Sequence, residues 1–184
     1  MPITPQDAQQ ALDNAERLYG EHEILAAMDR VAAEITAELK DKNPLLLCIM
    51  SGGLMPAAYL LARLRFPLQL DYIHASRYRG KTSGGDLNWV VRPPAAIKGR
   101  TVLLIDDILD EGHTLAAIVA ECRALGAQDV LSVVALEKDL GRKKAIEATF
   151  RGLMVENRYV FGFGMDYKEY WRNLLEVYAV KDND

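Results

Sequence analysis

Cysteine is scarce in this 184-residue chain: there are two, Cys48 and Cys122, each inside an apolar run. A disulfide framework and a cysteine-rich metal site are therefore excluded, and both residues read as buried thiols. Histidine is almost as sparse. His22, His74 and His113 show no metal-ligand spacing. Long hydrophobic runs are missing too. None reaches the ~18 residues of a membrane span, and the first residues show no secretory signal pattern. Positive charge is not in excess. A net charge of -4 and a pI of about 5.5 argue against nucleic acid as a partner. No internal repeat and no low-complexity tract is visible. The expectation is a soluble protein of a reducing, cytoplasmic compartment, with neither nucleic acid nor membrane as partner.

What is present is enough apolar material for a real core, at 50% of residues, and a length that fits one domain. Residues 5–19 and 22–40 read as amphipathic helices. In the second, Ile24, Met28, Val31, Ile35 and Leu39 fall three or four apart. Residues 45–50 form an apolar strand, Ser51-Gly52-Gly53 a turn, and 54–64 a helix with Pro56 in its first turn. Residues 68–75 alternate as a strand. Residues 76–88 are polar, Gly-rich and read as a flexible loop, with 87–91 as the second arm of a hairpin. Further strands are predicted at 101–105, 130–137, 159–163 and 177–180, and a helix at 115–125. Strands alternating with helices predict an α/β fold, a central parallel sheet flanked by helices with right-handed crossovers.

Residues 102–115 say most about function. Four aliphatics, Val102 to Ile105, run into two adjacent carboxylates, Asp106 and Asp107. Two aliphatics follow, then Asp110, Glu111, Gly112, His113 and Thr114, and an apolar helix pattern begins at Leu115. A buried strand thus stops at an acidic edge and turns through a Gly-containing loop into a helix. In open α/β sheets ligands bind at the carboxyl ends of strands, and a helix N-terminus with free N–H groups binds phosphate. Carboxylates for sugar hydroxyls or a metal sit one loop from a phosphate cradle, which is the layout a phosphorylated ribose needs.

The whole string resembles the phosphoribosyl-diphosphate signature of the type I phosphoribosyltransferases. A second stretch, Arg158-Tyr159-Val160-Phe161-Gly162-Phe163-Gly164-Met165-Asp166-Tyr167-Lys168-Glu169-Tyr170-Trp171-Arg172, resembles a segment of the hypoxanthine-guanine members. The resemblance spans roughly residues 24–180 and implies a small hood built from about 1–22 and 150–184. It implies that Asp106 and Asp107 face the ribose and Mg2+, that Asp110 is the general base, and that Glu111, Gly112, His113 and Thr114 hold the 5′-phosphate. It further implies a pyrophosphate site at Ser51, Gly52, Gly53, Tyr78 and Arg172, and a purine site at Lys138, Tyr159 and Phe161. Asp166 would sit near the metal. Tyr167, Tyr170 and Trp171 read as packing. Departures fall at Ser51, where many members carry Lys, and at Arg77, Glu111 and His113. An acid at position 111 must turn its side chain away and leave its backbone N–H to the phosphate.

The implied reaction is purine plus phosphoribosyl diphosphate giving nucleoside monophosphate and pyrophosphate, with hypoxanthine or guanine as the base. A homodimer or homotetramer is implied by the resemblance alone. Three alternatives stay open: a xanthine-guanine specificity, a non-catalytic ligand sensor on the same fold, and a signalling domain of flavodoxin-like type. Lys138, Tyr159 and Arg172 together favour an enzyme over the sensor, and the Gly-x-Thr loop argues against the signalling domain.

Overall fold

The protein was analysed as a computed structural model, which describes residues 3–77 and 87–181. A six-stranded sheet forms the centre. Its strands are β2 (Leu45–Met50), β3 (Gln69–Arg77), β4 (Leu87–Val91), β5 (Thr101–Leu109), β6 (Asp129–Lys138) and β7 (Phe150–Val155), in the spatial order β4-β3-β2-β5-β6-β7. All neighbours are parallel except β3 and β4, which form the expected hairpin through Ala75↔Trp89 and Arg77↔Leu87. Strand order runs one way from β2 to β3 and the other way from β5 to β6. The crevice at that reversal, between the carboxyl ends of β2 and β5, is where such sheets bind ligands.

Helices cover both faces, so the inner strands are nearly unbroken apolar runs. Strand parity divides the core in two. Leu46, Cys48, Leu103, Ile105, Val133 and Ala135 pack on one face against α2 (Glu21–Leu39) and α3 (Leu54–Leu61). Leu45, Leu47, Val102, Leu104 and Val134 pack on the other against α4 (His113–Ala124). The predicted stripe of α2 is buried in full, from Ile24 through Met28, Val31 and Ile35 to Leu39. Truncating Ile24, Met28, Ile35 or Leu39 to Ala is expected to cost about 2–5 kcal/mol. Among the described residues no helix is long and apolar enough to cross a membrane.

The hood is a second, three-stranded sheet in the order β1-β9-β8, from β1 (Glu16–Tyr19), β8 (Val160–Phe161) and β9 (Val177–Ala179). It corrects the expectation of a helix over 5–19. The helix α1 (Pro5–Asn14), capped by Thr4 and Asp7, stops early, and residues 16–19 pair antiparallel with 177–179. Long-range pairing overrides a local helical pattern here. Residues 150–155, expected in the hood, are instead β7 of the main sheet, paired parallel with β6. Their apolar pattern is irregular, with Gly152 in its midst, so periodicity does not announce the strand. Gly152 is required because a Cβ there would strike the Ala135 carbonyl of β6.

Candidate active site

Strand β5 runs past the predicted end at Ile105 to Leu109, because β6 continues beside it through Ile108↔Leu136 and Leu109↔Glu137. Asp106 and Asp107 are therefore strand residues, and the pleat sends them to opposite faces. Asp106 has the parity of Leu104 on the α4 face. Asp107 has the parity of Ile105 and lies under the turn after β2. The pair is partly buried and closely coupled, with Asp106 accepting from the Asp107 N–H at 3.0 Å and Asp107 from the Ile108 N–H at 2.6 Å. Burial raises the pKa of both carboxyls, and the charge of Asp107 raises that of Asp106 further. The guanidinium of Arg172 stands 3.9 Å from Asp107 and opposes the rise.

The turn after β2 is tightly built. The Met50–Ser51 peptide bond is cis. Gly52 lies against the Asp107 carboxylate, and any Cβ on it would overlap the Oδ2 atom. Gly53 is pressed on the Ile105 carbonyl, and its own N–H donates to Ile49 at 2.8 Å. That N–H is therefore used inside the chain, and Gly53 supports the pyrophosphate turn by packing.

After β5 the chain turns at Gly112, whose φ of +82° is left-handed and whose backbone packs against Ile146 and Leu109. Helix α4 starts at His113 with no side-chain cap. Its first N–H groups lack intrahelical partners and face the cleft with the positive end of the helix dipole. The Glu111 carboxylate is tied to Arg142 at 2.6 Å and lies 3.7 Å from His113.

One cleft of about 400 Å³ gathers most of the predicted residues. Ser51 and Gly52 form one wall, Asp106, Asp107 and Asp110 the floor, and Glu111 to Thr114 the far end, with Arg172 over the acidic pair. Ile49, Met50 and Ala75, not singled out from the sequence, also line it, as do Ile108, Leu109 and Leu115. Lys138 does not line the cleft yet donates to Asp110 at 2.8 Å, with its own side chain 14% exposed and that of Asp110 48%. Phe161 is fully buried and stacks on Tyr178, whereas the Tyr159 ring is half exposed and meets Tyr167 edge-on. Arg172 bonds the Gly164 carbonyl at 2.8 Å and the Asp166 carboxylate at 2.6 Å, so it bridges the two carboxylates nearest it. Trp171 donates from its indole to the Ala8 carbonyl at 2.7 Å. Tyr78 lies outside the described residues, as does most of the 76–88 loop.

The donor set fits Mg2+. Asp106 and Asp107 offer hard oxygen atoms whose charge is destabilised by burial, and a divalent cation relieves that. Among the described residues no cluster of three or more metal-ligating side chains exists. Mg2+ is commonly held by one or two carboxylates with the rest of its shell from substrate and water.

Residues 14–168 match the phosphoribosyl transferase domain family. The chain belongs to that family. It is 33% identical over 174 residues to the hypoxanthine-guanine-xanthine phosphoribosyltransferase of Tritrichomonas foetus, covering 94% of this chain and 95% of that one. It is 36% identical over 165 residues to the bifunctional protein TilS/HprT of Listeria innocua, covering 89% of this chain but only 26% of that larger protein. Among solved structures, a hypoxanthine phosphoribosyltransferase from Staphylococcus aureus superposes with a TM-score of 0.85 at 27% identity, covering 92% of this chain and 94% of that one. The phosphoribosyltransferase fold thus accounts for the parallel sheet and flanking helices. Membership also removes the flavodoxin-like signalling alternative.

Both cysteines are free and buried. Burial pushes Cys48 up to about 11, with the charges of Asp106 and Asp107 adding to the effect, and burial likewise pushes Cys122 up to about 11. Neither thiol is a nucleophile at neutral pH.

Proposed function

We propose that this phosphoribosyltransferase moves the 5-phosphoribosyl group of phosphoribosyl diphosphate to N9 of hypoxanthine or guanine, releasing pyrophosphate. The observation that carries the base assignment is the Lys138–Asp110 pair at the carboxyl edge of β5 and β6, one residue from the phosphate loop. Lys138 has donors only. It suits the 6-oxo acceptor of hypoxanthine and guanine and mismatches the amine of adenine. Asp110 stands beside it to accept a proton from the ring nitrogen.

The remaining roles follow from charge. The departing pyrophosphate gains negative charge while the ribose ring gains positive, oxocarbenium-like charge. Ser51, Gly52 and Arg172 bind the pyrophosphate, with Gly53 as their support, and Asp106 and Asp107 hold the ribose hydroxyls. Asp106 and Asp107, with Asp166 nearby, would hold Mg2+, which would supply positive charge to the diphosphate. The N–H groups of residues 111–114 and the Thr114 hydroxyl hold the 5′-phosphate. Tyr159 stacks on the purine, and the backbone at Phe161 meets the base edge. The chain acts as one domain. Exposed Leu54, Leu70 and Tyr72 support a homodimer or homotetramer, and two unpaired thiols support a cytoplasmic setting.

The test is an absorbance assay with hypoxanthine, guanine, xanthine or adenine, phosphoribosyl diphosphate and Mg2+. Hypoxanthine and guanine should turn over. Adenine leaves polar groups unpaired at a cost of about 1–3 kcal/mol, and its kcat/KM should be roughly 5- to 150-fold lower. Comparable efficiency with adenine refutes the Lys138 assignment. Tight nucleotide binding without turnover of any base favours the sensor.

A further inference from the structure

We propose that Lys144 is a positioning residue for the 5′-phosphate loop. The proposal rests on the reading of residues 111–114 as that loop. Strand β5 leaves the sheet after its last paired residue, Leu109, which lies opposite Glu137 of β6. Lys144 staples this last rung. Its ammonium donates to the Leu109 carbonyl at 3.1 Å and to the Glu137 carboxylate at 3.0 Å. The Lys144 side chain is 7% exposed and that of Glu137 11%. Among the described residues the other Glu137 oxygen meets Arg151, at 3.4 Å.

The two residues after Lys144 continue the brace. The Ala145 N–H donates to the Glu111 carbonyl at 3.1 Å, and Ile146 packs against the left-handed Gly112. Positions 109, 111 and 112 are thus each met by one of three consecutive residues, 144, 145 and 146. A charged donor on a carbonyl makes a shorter and stronger bond than a neutral one. A buried ion pair is often replaceable by apolar residues without loss of stability, so bulk packing alone does not call for one here. What the ammonium provides is a fixed origin for the loop that must present its N–H groups to a phosphate within a few tenths of an ångström. Lys144 touches neither the cleft nor the reacting atoms and acts through the Leu109 backbone.

The test compares inosine monophosphate with inosine, which differ by the phosphate alone, in binding to the full chain by calorimetry. Lys144→Met alone strands the buried Glu137 charge, so the informative variant is Glu137→Gln/Lys144→Met, which removes both charges together. It should melt close to wild type, lose roughly tenfold in affinity for the nucleotide, and keep its affinity for inosine. The expected loss is below the hundredfold that a displacement of about 1 Å can cause. KM for phosphoribosyl diphosphate should rise with kcat nearly unchanged. Lys144→Arg, which retains a charged donor, should recover most of the nucleotide affinity. A wild-type chain that prefers the nucleotide, with a double variant that keeps this preference in full, overturns the role of Lys144. If the double variant fails to fold, Lys144→Arg decides: nucleotide and nucleoside affinities that fall together in it overturn the proposal. A wild-type chain with no preference for the nucleotide overturns the phosphate-loop reading itself, and the proposal with it.

Discussion

Residues 101–114 and residues 159–172 both deliver side chains to the same cleft, by different means. The first segment is a strand, one left-handed glycine and a helix start. Its geometry is local: Gly112 alone departs from ordinary backbone angles, and the ladder with β6 aligns the rest. The second is an irregular loop with positive φ at Gly162, Phe163, Gly164, Lys168, Glu169 and Trp171. Non-glycine residues in that region cost of order 1–3 kcal/mol each. Contacts from distant parts of the chain hold it: Trp171 to Ala8, Arg158 to Glu16, and Gly164 against Gly52. Charge placed on a strand edge is held by the sheet; charge placed on a strained loop is held only while the loop's distant partners persist.

The largest effect should come from the local segment. Asp110→Asn is isosteric and removes the proton acceptor. Turnover should fall roughly 100- to 10,000-fold with the fold retained, although Lys138 loses its charged partner. Near-normal rates would remove Asp110 as the base.

The junction of the two regions comes next. A Cβ at Gly164 would overlap the Gly52 carbonyl and approach the Asp107 Cβ to 3.1 Å, at a φ of +104°. Gly164→Ala should cost roughly 2–4 kcal/mol from overpacking and strain together, and should raise KM for pyrophosphate in the reverse reaction. Thermal melting and reverse-rate assays check both. Unchanged values in the two would mean that the hood loop sits independently of the turn after β2.

The third effect has the opposite sign. The carboxyl of Asp107 is raised above its ordinary 3.8 by burial. Between that value and the raised one, the folded chain binds more protons than the unfolded one, so stability falls as pH increases. The cost is therefore present at neutral pH and absent below the ordinary carboxylate range. Asp107→Asn should therefore stabilise the ligand-free chain by about 0.5–2 kcal/mol while removing activity. The gain should vanish in melts below about pH 3.8. A destabilised Asn variant at pH 7 would show that the charge is already compensated within the fold.

The smallest effect is Trp171→Phe, which keeps an aromatic side chain but removes the indole N–H and its bond to Ala8. Its expected cost is about 0.5–1.5 kcal/mol, or roughly 1–6 °C in melting temperature for a domain of this size. The effect on pyrophosphate KM should exceed that on nucleotide affinity. Equal effects on both would mean that α1 supports the whole cleft and not the hood loop alone.

The sequence by itself determined the order of strand, acidic pair, glycine turn and helix, because each is written in adjacent residues; it ended the strand at Ile105, four residues before the ladder with β6 does, and began the helix two residues late. It also determined the α2 stripe and the buried β2 run, where hydrophobic spacing decides the face. Only the tertiary structure decided that residues 16–19 are a strand, since their partners are more than 150 residues away. The same holds for β7, whose pattern is broken by Gly152, and for Gly53, whose N–H is spent on Ile49. Lys144 carried no signal either. Beside Arg142 and Lys143 it reads as surface charge, and only the folded chain brings Glu137 and the Leu109 carbonyl to it. Local order is encoded in neighbouring residues, whereas burial and pairing of a charge depend on what distant segments place around it.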